Sequence, residues 1–231
     1  WGSLKKEVFI NFRTSDKFYN LIITAIVLPI SILLLNKIFG AMDTRLTGTY
    51  MTMAFNVLLI LLISLASNDA VARIFSEEGA SSYLNKTMPQ SYGKILTSKL
   101  IIPMCVMLVS IITACIIFAK FAGLGVWAGI LTTLSLCLIY LGHLFQSATL
   151  DIMNPQSQQY ATLGMQISNP NELKSTLLAF IISALITFIY YFLMGENATT
   201  VTIKLLIIAA VFCVWNVYMY FTKIKVYYKE K

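Results

Sequence analysis

The sequence predicts an all-α membrane protein of six transmembrane helices, preceded by an amphipathic interfacial helix. Three observations predict it. Of 231 residues, 58% are hydrophobic and only 12% charged, with a mean hydropathy of +0.78, whereas soluble domains carry about a quarter charged residues. Six runs of bilayer-crossing length contain no Asp, Glu, Lys or Arg. None of them alternates polar with apolar residues, and an uninterrupted apolar run satisfies its backbone in lipid only as a helix. The same composition excludes a water-soluble globule and a disordered chain.

Residues 1–17 place Trp1, Leu4, Val8, Phe9 and Phe12 at helical spacing, with Lys5, Lys6, Asn11 and Arg13 opposite. That pattern predicts a helix lying in the membrane interface, its basic face near anionic head groups. The segment lacks the short apolar core and cleavage site of a signal peptide. A start at Trp1 rather than Met is expected of a trimmed, processed or partial chain. The transmembrane domain, 18–222, follows as spans at 18–36, 46–68, 100–119, 121–150, 175–195 and 205–222. About 20 helical residues cross the roughly 30 Å of hydrocarbon. Residues 223–231 form a basic tail.

Within the spans, Pro29 and Pro103 are expected to bend their helices, and Gly125 and Gly129 form a GxxxG that allows close helix approach. Gly123 and Gly125 also break the fourth run near its start. Asn56, Asn216, Ser64, Ser110, Thr132, Thr133 and Ser135 are expected to bond across helices or back to the backbone. Cys105, Cys115, Cys137 and Cys213 show neither metal-ligand spacing nor a secreted disulfide pattern and read as small packing residues. His143, the single histidine, cannot build a metal site or a relay alone and reads as a packed polar side chain.

Orientation follows from charge. Lys5, Lys6, Arg13, Lys17, Arg73, Lys86, Lys94, Lys99, Lys174, Lys223, Lys225, Lys229 and Lys231 fall on one side of the six spans, and only Lys37, Arg45, Lys120 and Lys204 on the other. The positive-inside rule therefore puts both termini and the two longer loops in the cytoplasm. The Asn197–Thr199 sequon would then face outward and reads as a short turn.

The first long loop, 69–99, is not linker-like. Residues 70–76 can extend the second helix, with Val71, Ile74 and Phe75 on one face. Gly79 is expected to stop it, Met88 and Pro89 to turn the chain, and Tyr92, Ile95 and Leu96 to restart a helix. Such a helix–turn–helix presents side chains to a partner, and loops of this length rarely lack a role. In the second loop, 151–174, Asn169 and Pro170 mark the start of the fifth spanning helix. Residues 161–167 fit either a partner-facing short helix or an interfacial segment.

The spans hold no acidic or basic residue, which argues against a carrier driven by an ion gradient. No phosphate loop is present either: Gly93–Lys94 lacks the upstream Gly and the following Ser or Thr. Any ATP hydrolysis must come from another chain.

The run Arg73–Ile74–Phe75–Ser76–Glu77–Glu78–Gly79, then Tyr83, Leu84, Met88, Pro89, Ile95, Leu96 and Lys99, resembles the segment between helices 2 and 3 of bacterial ABC exporter permeases of the type-2 class. Asp151, Pro155 and the Asn-rich approach to the fifth spanning helix resemble the family's second cytoplasmic loop. Glu78 departs from the pattern, standing where Arg or Lys often precedes the Glu–Gly. The resemblance implies a six-helix permease of the bacterial inner membrane, one half of a longer permease or a partner to a second permease domain in a homo- or heterodimer. Separate ABC ATPase subunits would bind ATP and Mg, so this chain itself needs no cofactor. It further implies that Ser76, Glu77, Glu78, Gly79, Tyr83, Leu84, Met88, Pro89, Asp151 and Pro155 belong to coupling helices seated against those ATPases.

Two other classes compete. A membrane-embedded enzyme would need a constellation of intramembrane His, Asp, Glu or Cys, and the spans offer one His and scattered Cys. A non-transporting scaffold or assembly protein would have similar spans. Nothing in the spans selects a substrate, and the basic charge reads as a membrane surface rather than a nucleic-acid site.

Overall fold

Lipid offers the backbone no hydrogen-bond partners, so a spanning chain must pair its own amides and carbonyls. The computed structural model describes residue 9 and residues 15–41, 46–83, 91–163 and 169–227, and among these the chain is helical with short turns and no strand. The helices are α1 (Ser15–Phe39), α2 (Leu46–Ala66), α3 (Tyr92–Phe121), α4 (Val126–Met153), α5 (Ser157–Leu163), α6 (Pro170–Leu193) and α7 (Ala198–Tyr227). Three 3₁₀ segments, Ser67–Asp69, Val71–Arg73 and Ser76–Tyr83, continue the chain beyond α2. Six helical stretches are long and apolar enough to cross a membrane: Ile22–Phe39, Gly48–Gly79, Gly93–Phe121, Val126–Met153, Pro170–Leu193 and Ala198–Tyr227. The chain is a multi-pass membrane protein. The predicted interfacial helix over 1–17 lies almost wholly outside the described residues, of which Phe9 and the start of α1 are helical.

The helices overrun the charge-free windows. α3 begins early enough to carry Lys94 and Lys99, and α4 runs on through Asp151, a residue that the charge pattern places in the following loop. Lys99 and Asp151 are both buried. The spans bounded by the sequence hold no ionisable group, but the helices extend past them and carry Lys99 and Asp151 toward one end and Lys37, Lys120 and Lys204 toward the other. Hydropathy detects the hydrocarbon, whereas a helix continues wherever its i→i−4 bonds persist.

Packing is pairwise. α4 runs along α7, α1 along α3 and α2 along α6, while α4 also touches α2, α3 and α6. Lipid tails are as apolar as Leu, so close van der Waals fit holds such a bundle. The core gathers Leu28 and Ile32 of α1, Ile60 and Leu61 of α2, Met107 and Ile111 of α3, and Leu136 and Leu144 of α4. α4 and α7 approach closely at Gly142, where a Cβ would meet the Phe212 ring at 2.6 Å and the Cys213 Cα at 3.2 Å. The GxxxG does not serve this purpose. A Cβ on Gly125 would meet nothing within 4 Å, and one on Gly129 only the Ala119 methyl at 3.4 Å.

Polar groups in the helices behave as expected. Asn36 and Asn56 exchange amide bonds of 2.7 and 3.1 Å between α1 and α2. Ser110 donates to the Ala25 carbonyl of α1 at 3.0 Å, while Ser64, Thr132, Thr133, Ser135 and Asn216 return to their own helix.

Candidate functional site

The two longer connections meet at the end of the bundle where α2 and α4 finish and α3 and α6 begin, here called the loop end. The chain leaves α2 with right-handed helical dihedrals at Ala66, Ala70 and Ile74, so the predicted extension is present, tightened to 3₁₀ turns. It breaks at Gly79, whose φ of 50° and ψ of −125° suit glycine. A Cβ there would also lie 3.2 Å from the Ala161 amide nitrogen. Gly79 thus does two things at once: it ends the extension and lets α5 lie directly against it.

Asp151 fastens this contact. Its carboxylate, buried at the end of α4, accepts the backbone amides of Phe75 and Ser76 at 2.8 and 3.0 Å and the Ser76 hydroxyl. Ser76 Oγ in turn accepts the Gln156 amide at 2.9 Å. One carboxylate thereby joins the end of α4, the 3₁₀ segment and the approach to α5. Paired amide donors are what make a buried carboxylate tolerable.

A second layer flanks it. Asn169 caps α6 by accepting the Asn171 amide at 2.9 Å, with Pro170 in the first turn as the sequence predicts. Asn171 donates to the Asn154 carbonyl at 2.8 Å. The Tyr160 hydroxyl of α5 donates to Glu172 at 3.3 Å, and Glu172 faces Arg73 at 3.4 Å. Burial pushes the Tyr160 phenol above its ordinary range, so it remains a neutral donor. On the other flank Lys99 of α3, almost fully buried, pairs with Glu78.

A third layer lies deeper. Asn68 donates to Nδ1 of His143 at 3.0 Å, which leaves Nε2–H to donate to the Ser175 carbonyl at 3.2 Å. Both ring nitrogens are engaged by neutral groups, so His143 is a packed polar side chain. Ser147 and Ser175 share a hydrogen bond of 2.7 Å. Among the described residues the Asn68 Oδ1 finds no hydrogen-bond partner.

The residues that the resemblance marked for contact with a partner divide into three groups. Ser76, Gly79 and Asp151 are buried and bind or pack against other parts of this chain. Glu77 and Glu78 are half-buried, and Pro155 is exposed. Leu84, Met88 and Pro89 lie outside the described residues, as does the side chain of Tyr83. Sequence reasoning missed Arg73–Glu172, Lys99–Glu78, Asn68 and Tyr160 as members of this cluster. The available signal was the concentration of Asn, Ser and charged residues flanking the spans on one side. Among the described residues no three His, Cys, Asp or Glu side chains come together to hold a metal ion. Comparison with protein-family models, curated proteins and solved structures found no match.

Proposed function

We propose that this chain is the membrane-spanning permease of an ATP-driven exporter of the ABC type, powered by a separate ATPase subunit. In this reading it sits in a bacterial inner membrane, with the loop end and both termini in the cytoplasm, and pairs with a second permease domain. The observation that carries the reading is the Asp151 junction. It makes the 3₁₀ segment 76–83 and α5 one unit, fastened by buried polar bonds to the ends of α2 and α4 and, through Glu172, to the start of α6. A push on such a unit reaches three spanning helices together, which is what energy transfer from an external ATPase requires. A solvated connection would be held by no such bonds. Because Ser76 and Asp151 face inward, contact with the ATPase falls to the outer surface of the same unit, where Pro155, Gln158, Gln159 and Thr162 are exposed.

The test is purification from the native membrane in mild detergent. The chain is expected to bring an ATPase with it, and the double variant Gln158→Arg, Gln159→Arg is expected to lose that ATPase while keeping its own thermal unfolding midpoint. A wild-type chain that purifies without any ATPase overturns the reading and favours a scaffold.

A further inference from the structure

The seam between α1 and α2 is closed unevenly. Toward the end far from the loops it is shut by the reciprocal Asn36–Asn56 amide pair and by the stacked rings of Phe39 and Phe55, 5.8 Å apart. Toward the loop end it opens into a groove with walls of Ile23, Val27, Leu62 and Ile63 and a rim of Ser67 and Asp69. The cause is the pairing of the helices: α1 lies chiefly against α3 and α2 chiefly against α6, which draws these two apart. From Leu62 to Asp69 the groove runs about 10 Å at the helical rise of 1.5 Å per residue.

Asp69 differs from the acids around it. Glu78 is paired with Lys99, Glu172 with Arg73, and the Asp151 carboxylate is filled by Ser76 and two backbone amides. Asp69 gives one oxygen to the Ala70 amide at 2.5 Å, and among the described residues no Lys or Arg nitrogen lies within 4 Å of it. It is half-buried, at the mouth of an apolar slot that opens on the outside of the helix bundle. A carboxylate so placed attracts a positive charge whose attached body prefers hydrocarbon to water.

We propose that this groove binds a membrane-partitioned organic cation, with its ammonium on Asp69 and its apolar body between Ile23, Val27, Leu62 and Ile63. Ser67 adds an acceptor at the rim, since its hydroxyl already donates to the Ser64 carbonyl at 2.7 Å. Ser67–Asp69 is also the turn that carries Asn68 inward to His143. An occupant of the groove therefore presses on the backbone that enters the polar cluster. Binding itself is independent of the exporter reading. Only the further step, that such cations are the cargo, rests on it.

The experiment uses the full chain in phosphatidylcholine–phosphatidylglycerol nanodiscs, without ATP and without any partner. The probes are trimethylammonium-diphenylhexatriene and its uncharged parent, followed by fluorescence anisotropy. The cationic probe is expected to bind in a saturable way, and Asp69→Asn, which keeps an acceptor for Ala70, is expected to weaken it roughly two- to fivefold, as for a part-exposed ion pair. The same variant is expected to leave the neutral probe unchanged, while Val27→Trp, which fills the slot, weakens both. Equal binding of the two probes, or no response to Asp69→Asn, overturns the proposal: the groove is then a lipid-covered surface and Asp69 only a cap on its turn. Absence of saturable binding overturns it as well. Loss of the ATPase in the purification test would leave these results untouched, so the two ideas fail separately.

Discussion

Asp151 shows how much of the loop end depends on single atoms. Its two oxygens satisfy two backbone amides and a hydroxyl that water does not reach. Asp151→Ala leaves all three stranded and is expected to cost about 3 kcal/mol or more, since each buried unsatisfied donor costs roughly 1–3 kcal/mol. Asp151→Asn keeps an acceptor for the amides and is expected to cost only about 1 kcal/mol. Thermal unfolding of the detergent-solubilised chain distinguishes them, and equal losses would remove the junction from the account. The sequence identified Asp151 through its resemblance but assigned it an outward role. The reason is distance along the chain: its partner Ser76 lies 75 residues away, and no local pattern reports which way a helix end faces. Gly79 was legible, because a glycine just past the helical extension 70–76 signals a stop; that the same glycine admits α5 was not.

At the scale of the helix, α4 carries the bundle. It touches α2, α3 and α6 and runs along α7, and its buried positions include small and polar residues that let neighbours come close. Gly142 sets the α4–α7 spacing, since the Phe212 ring occupies the place a side chain would take. Gly142→Leu is expected to force these helices apart and destabilise the chain by about 1–3 kcal/mol, whereas Gly125→Leu, with open space around it, is expected to change little. A comparison of unfolding midpoints checks both, and a larger loss at Gly125 would contradict this packing. Sequence spacing pointed instead to Gly125 and Gly129. GxxxG describes a face that could pack closely, but which glycine does so depends on how α4 is turned toward its neighbours. The helices themselves, by contrast, were legible from length and apolarity, and Asn169 with Pro170 marked the start of α6 to the residue.

For the whole molecule, the charge asymmetry and the joined loops make one argument. If the loop end is cytoplasmic, a thiol introduced at the exposed Gln158 reacts with a membrane-impermeant maleimide only after the cells are opened. Labelling in intact cells would reverse the orientation and with it the proposed grip of an ATPase. The same end holds the Arg73–Glu172 and Lys99–Glu78 ion pairs, the Asn–Ser–His layer and the mouth of the α1–α2 groove, so motion, recognition and energy input would converge within a few turns of helix.

The sequence alone determined that this chain crosses a membrane as six helices, because hydrocarbon length and backbone self-satisfaction leave an apolar run no other form. It also determined which polar segments are long and which end of the bundle is basic. Only the tertiary structure decided that the two connections bind each other, that Asp151 and Lys99 turn inward, that Gly142 rather than the GxxxG brings helices together, and that α1 and α2 part into a groove. The reason is physical: insertion depends on the composition of each segment by itself, whereas inter-helix contacts depend on the rotation and pairing of segments far apart in the chain, which composition does not encode.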